Sequence, residues 1–111
     1  IKTLYEVSKT DFIADAGPQT IELLSAHASI SKLVVWNGPF GLYEDGFDWA
    51  TKEFLKELAK SSAMSIIGGG DTDALVSKMK LEDAFTFIST GGGATLEYLS
   101  KGTLPGIKAL G

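Results

Sequence analysis

The sequence predicts an α/β domain, a Rossmann-like three-layer α/β/α arrangement with a mainly parallel sheet. Two observations carry that expectation. Short apolar runs alternate with stretches of helical periodicity, strand then helix four times over. Such alternation implies a parallel sheet with helices on its faces and right-handed crossovers. The second observation is that two of the runs end in triple glycines, Gly68-Gly69-Gly70 and Gly91-Gly92-Gly93, each followed by a helical pattern.

Each element has its own justification. Ile1 to Val7 alternates apolar and polar residues and reads as the middle of a strand, and Phe12-Ile13-Ala14 reads as a short buried piece. Pro18 suits the first turn of a helix, where its missing N–H is no loss. The helix it opens places Ile21, Leu24 and Ala28 on one face. Leu33-Val34-Val35-Trp36 is a continuous apolar run, the mark of a strand buried on both faces, and Asn37-Gly38-Pro39 ends it. A second helix is expected from Phe47, with Phe47, Ala50, Phe54, Leu55 and Leu58 on one stripe. Lys52, Glu53, Lys56 and Lys60 then face water.

Met64 to Ile67 reads as the next strand, and Asp71-Thr72-Asp73 opens a helix running to about Met79. A further turn is expected over Leu81 to Ala84, and a strand over Phe85 to Ile88. After the second triple glycine, Ala94 to Leu99 reads as helical, and Leu104-Pro105-Gly106 breaks into a short last helix. No internal domain boundary is visible. The whole of 1–111 reads as one unit of organisation.

The totals narrow the function. A chain of 111 residues, 44% hydrophobic and 22% charged, has the composition of a small globular domain. Its net charge of −4 argues against a general nucleic-acid binder, which needs a basic face. It leaves room for a phosphorylated small ligand, because backbone N–H groups and a divalent cation can neutralise phosphate. No apolar run approaches the roughly 20 residues of a membrane span. With no cysteine there is no disulfide or thiolate metal site, and a cytoplasmic location is the expectation.

Thirteen glycines exceed the usual share of roughly 7% and cluster at expected strand ends, where an open parallel sheet collects its ligands. Glycine removes the Cβ that would hold an anion off the backbone, and the following helix offers unpaired N–H groups. Two such turns point to phosphate binding; tight turning alone is the plainer alternative. The familiar phosphate motifs do not fit. A dinucleotide fingerprint needs glycine where Asp73 stands, and no lysine follows either triplet as a Walker loop requires.

Asp71 has two readings, a Mg²⁺ ligand between carboxylate and phosphate oxygens or a helix N-cap. Thr72 either donates to the same phosphate or faces solvent. Glu44 either accepts ribose hydroxyls or is a surface acid. His27, the sole histidine, has no partner for a base or ligand role.

These segments together resemble phosphoglycerate kinase. The matching text is Asp15-Ala16-Gly17-Pro18-Gln19-Thr20, Val35 through Glu44, Ile66 through Thr72, Ser89 through Ala94, and Leu104-Pro105-Gly106. Ala16 departs from the family, which often has a larger aliphatic residue there. The resemblance implies a C-terminal segment, 1–111, of the nucleotide-binding domain of a two-domain glycolytic kinase. It implies phosphoryl transfer between MgATP or MgADP and 3-phosphoglycerate or its acyl phosphate, with no general base.

By the same resemblance Glu44 binds the ribose, while Asn37, Pro39 and Phe40 line the nucleotide side. Gly69 and Gly70 shape the phosphate turn, Asp71 holds Mg²⁺, and Thr72 contacts the phosphate chain. Gly91, Gly92 and Gly93 offer N–H groups to the phosphoryl in transit. The 3-phosphoglycerate site would sit on an N-terminal domain outside these residues. The chain alone is therefore expected to be inactive and prone to self-association through open sheet edges. The alternative is a stand-alone, non-catalytic nucleotide- or phosphate-binding module.

Overall fold

The computed structural model describes residues 1–89 and Ser100, and within them the expected parallel sheet is present. The described residues fall in two compact units, one of 1–32 with 39–63, the other of 33–38 with the residues from 64 onward.

The second unit holds the sheet. Strands β1 (Leu33–Asn37), β2 (Met64–Gly68) and β3 (Phe87–Ser89) pair in the order β1-β2-β3, both pairs parallel. Leu33 lies opposite Met64, Asn37 opposite Gly68, and Gly68 opposite Ser89, so the three strands end level at their carboxyl edge. Side chains alternate between faces along each strand. On one face Trp36, Ser65 and Ile67 are buried. On the other, Leu33, Val35, Met64 and Phe87 are exposed by 43–58%. The expectation that β1 is buried on both faces is therefore corrected: the apolar run is present, but only one of its faces is covered.

Helix α3 (Gly70–Lys78) follows β2 directly and buries Thr72, Leu75 and Val76. It stops at Met79, and a 3-10 turn over Glu82–Ala84 stands where a further turn was expected. β3 begins two residues later than the apolar run suggests. Ahead of it, the Ser65 N–H donates to Thr86 Oγ1 (3.0 Å) and the Thr86 N–H donates to Ser65 Oγ (3.2 Å). Side-chain hydroxyls thus join β2 to the chain where the backbone ladder has not yet started.

The first unit holds α1 (Pro18–Ile30) and α2 (Trp49–Lys60), which pack together. Pro18 occupies the first helical position as expected, and Ile21 and Ala28 are buried. The hydroxyl of Ser61, just past α2, donates to the Ala28 carbonyl of α1 (3.2 Å) and ties the helix ends together. On α2, Ala50, Thr51, Phe54, Leu55 and Leu58 form the buried stripe.

Three expectations fail in this unit. Phe47 lies before α2 and is 43% exposed. Its N–H donates to the Leu42 carbonyl (3.2 Å), closing a loop that contains the 3-10 turn Tyr43–Asp45. Ile1 to Val7 is not a strand: Leu4–Glu6 is a 3-10 turn, closed when the Thr3 N–H donates to the Glu6 carboxylate (2.6 Å). Alternation alone does not make a strand without a neighbour to accept its backbone bonds. Phe12 and Ile13 are likewise 76% and 69% exposed rather than buried.

Candidate functional site

The carboxyl edge of the sheet gathers Asn37, Gly69, Gly70, Asp71 and Thr72, all in the second unit. Two backbone turns meet there. The Gly38 N–H donates to the Gly68 carbonyl (3.0 Å), so the turn after β1 is fastened to the turn after β2. A Cβ on Gly68 would stand 2.6 Å from Asn37 Oδ1, because the Asn37 carboxamide lies over it.

Gly69 is required by its own backbone. It has φ +98°, and a Cβ there would lie 3.0 Å from the Gly38 nitrogen. It is also the N-cap of α3, its carbonyl accepting from the Asp73 N–H (2.9 Å). Gly70 differs. Its φ is unexceptional and a Cβ would meet nothing within 4 Å among the described residues. Gly70 opens the first turn of α3, whose leading N–H groups have no partner within the helix.

Two side chains follow. Asp71 is exposed in the first turn of α3. Since Gly69 holds the cap position, the N-cap reading of Asp71 does not stand. Thr72 does not face solvent: it is fully buried, and among the described residues its Oγ1 has no hydrogen-bond partner. That oxygen lies 3.8 Å from where a Gly69 Cβ would be. A buried hydroxyl left unpaired costs about 1–3 kcal/mol. Among the described residues no three histidine, aspartate or glutamate side chains converge on a metal position. A cation at Asp71 would take one protein carboxylate and draw its remaining ligands from phosphate and water, a set that suits Mg²⁺.

Pro39, Phe40 and Glu44 belong to the first unit. Phe40 is anchored to α2. Its N–H donates to Thr51 Oγ1 (2.8 Å), the same hydroxyl donates to the Phe40 carbonyl (3.3 Å), and its ring meets Phe54 edge-on at 5.7 Å. Glu44 is exposed in the 3-10 turn. Gly91, Gly92 and Gly93, with the helices expected beyond them, lie outside the described residues.

Sequence reasoning gave no role to Asp15 or Thr51. Asp15 Oδ2 accepts from the Ala50 N–H (3.1 Å), and Asp15 Oδ1 from the Ala16 N–H (2.8 Å). Contacts spanning 35 and 11 residues leave no local signal in a single sequence. A hollow of about 660 Å³ lined by Ile1, Leu4, Val7, Phe12, Ile13 and Phe47 among others contains none of the predicted site residues.

Comparison with known proteins identifies the family and the fold. The family model described as phosphoglycerate kinase matches residues 1–102. A phosphoglycerate kinase of Rubrobacter xylanophilus is 45% identical over 86% of this chain and 25% of its own length. One from Dictyoglomus turgidum is 42% identical over 99% of this chain and 28% of its own length. The solved structure of phosphoglycerate kinase from Coxiella burnetii superposes with a TM-score of 0.81 at 40% identity, covering 96% of this chain and 27% of that one. The chain thus spans about a quarter of the length of the relatives it matches.

Proposed function

The chain belongs to the phosphoglycerate kinase family, and from that premise we propose that its β2–α3 turn holds the phosphates of MgATP or MgADP. The observation that carries the reading is Gly70. Gly69 is glycine because the backbone demands it; at Gly70 neither φ nor crowding by the described residues makes that demand. A bare backbone beside unpaired helix N–H groups is what an approaching phosphate needs.

In this reading Gly69 sets the turn and the N–H groups of the first α3 turn face the phosphate. Asp71 supplies the carboxylate for Mg²⁺, which, when bound, neutralises phosphate charge and orients the transferring group. Thr72 is fully buried, so its hydroxyl reaches the phosphate chain through a shift of the turn. Such a shift gives its orphaned hydroxyl a partner. Asn37, Pro39 and Phe40 line the nucleotide side and Glu44 accepts from the ribose. Gly91, Gly92 and Gly93 donate to the phosphoryl in transit.

For the whole enzyme the reading is transfer of the ATP γ-phosphoryl to the carboxylate of 3-phosphoglycerate in glycolysis. An ionised acceptor requires no base, and positioning with charge neutralisation carries the step. The acceptor site lies on sequence outside this chain, so the chain alone is inactive.

Gly70→Ala tests the reading. Its thermal stability should equal or exceed that of the parent, since alanine is the better helix residue by up to about 1 kcal/mol. Its MgADP affinity should fall several-fold. Unchanged affinity in a stably folded Gly70→Ala chain would remove the support for this turn as the phosphate site.

A further inference from the structure

Helix α2 begins without a capping side chain from its own neighbour. Asp48 occupies the cap position but makes no side-chain cap bond, and its carboxylate pairs with Lys52 (2.8 Å). The carboxylate that serves the second N–H of the helix, that of Ala50, is Asp15, which lies 35 residues away in sequence. A carboxylate at a helix start satisfies an orphan donor and complements the positive end of the helix.

The same first turn carries Thr51, fully buried, whose hydroxyl holds both the N–H and the carbonyl of Phe40. The segment before Pro18 also grips the loop directly. The Ala14 carbonyl accepts from the Leu42 N–H (2.8 Å). Gly41, at φ +66°, lies so close that a Cβ there would be 2.6 Å from both the Ala14 carbonyl oxygen and Asp15 Oδ1. The loop of residues 39–46 is therefore hydrogen-bonded at residue 40 by Thr51 and at residue 42 by Ala14, and lies close against Ala14-Asp15 at Gly41.

We infer that Asp15 and Thr51 are positioning residues: Asp15 fixes the first turn of α2, and Thr51 on that turn fixes the loop that carries Phe40 and Glu44. The positioning stands on the contacts above. Its consequence, correct presentation of that loop to a nucleotide, rests on the proposed function.

Amide hydrogen exchange separates positioning from general stability. The Ala50 N–H is held by Asp15 and the Phe40 N–H by Thr51, so each reports one link. In Asp15→Ala, which removes the acceptor of the Ala50 N–H, that amide should exchange about tenfold faster. In Thr51→Val the Phe40 amide should do so, with Thr51→Ser restoring the parent rate. Amides in the middle of α1 should be unmoved.

Acceleration spread evenly over the unit, or none at Ala50 and Phe40, would overturn the inference. A second arm titrates each chain with MgADP. If the parent binds, Asp15→Ala and Thr51→Val should bind several-fold more weakly; equal binding would contradict the nucleotide consequence. If the parent shows no binding while the exchange pattern holds, the positioning stands and the nucleotide reading fails.

Discussion

At the scale of single residues Gly69 and Gly70, adjacent and alike in sequence, divide by physics. Gly69→Ala forces a side chain onto φ +98° and against the Gly38 backbone nitrogen. It should lower stability by about 1–3 kcal/mol in chemical denaturation. Gly70→Ala should not. The carboxylates of Glu6 and Asp11 are also sharply placed. The backbone N–H of Thr3 holds Glu6 below its ordinary value, and the Lys2 ammonium, then the Ser8 N–H, holds Asp11 below its own. A carboxylate depressed in the folded state contributes above the unfolded value and stops contributing as pH falls through the folded one. The 3-10 turn Leu4–Glu6 should therefore loosen on acidification below the carboxylate range, with the Thr3 and Ser8 amide resonances moving together. If both amides stay fixed through the titration of these carboxylates, the turn does not depend on them. Legibility at this scale was uneven. Asp71 and Gly70 were visible because a triple glycine before a helix is a local pattern. Asp15 and Thr51 were not, because their partners lie 35 and 11 residues away.

Among elements, α2 shows where helix stability resides. Leu55 has no exposed surface, so Leu55→Ala should cost about 2–5 kcal/mol. The pairs Lys56 with Glu53 (2.7 Å) and Lys60 with Glu57 (3.1 Å) lie at solvent. Lys56→Ala should change stability by less than about 0.5 kcal/mol; thermal melts of both variants compare the two effects on one helix. Sequence periodicity located α1, α2 and α3 and the apolar runs of the three strands, since burial in contact with a packed neighbour leaves a period. It failed where the period was present but the neighbour was not. Ile1 to Val7 alternates like a strand and folds as a turn, and Leu33 and Val35 belong to an apolar run yet stand exposed. A hydrophobic pattern states what a segment can bury, not what is there to bury it.

For the whole molecule, the exposed sheet face of Leu33, Val35, Met64 and Phe87 is an apolar surface of the kind that drives association. Light scattering should show mass rising with concentration; a constant monomer mass across the range would count against it. A coupled kinase assay should find no turnover by the chain alone, in keeping with its spanning a quarter of its relatives' length. We propose only that the turn from β2 into α3 holds nucleotide phosphate. An NMR titration of the chain with MgADP tests it most directly. Saturable shifts centred on the amides of Gly69, Gly70, Asp71 and Thr72, weakened when Mg²⁺ is withheld, are the predicted result. Saturation at millimolar nucleotide with those four amides unmoved, or no shift anywhere, would contradict it.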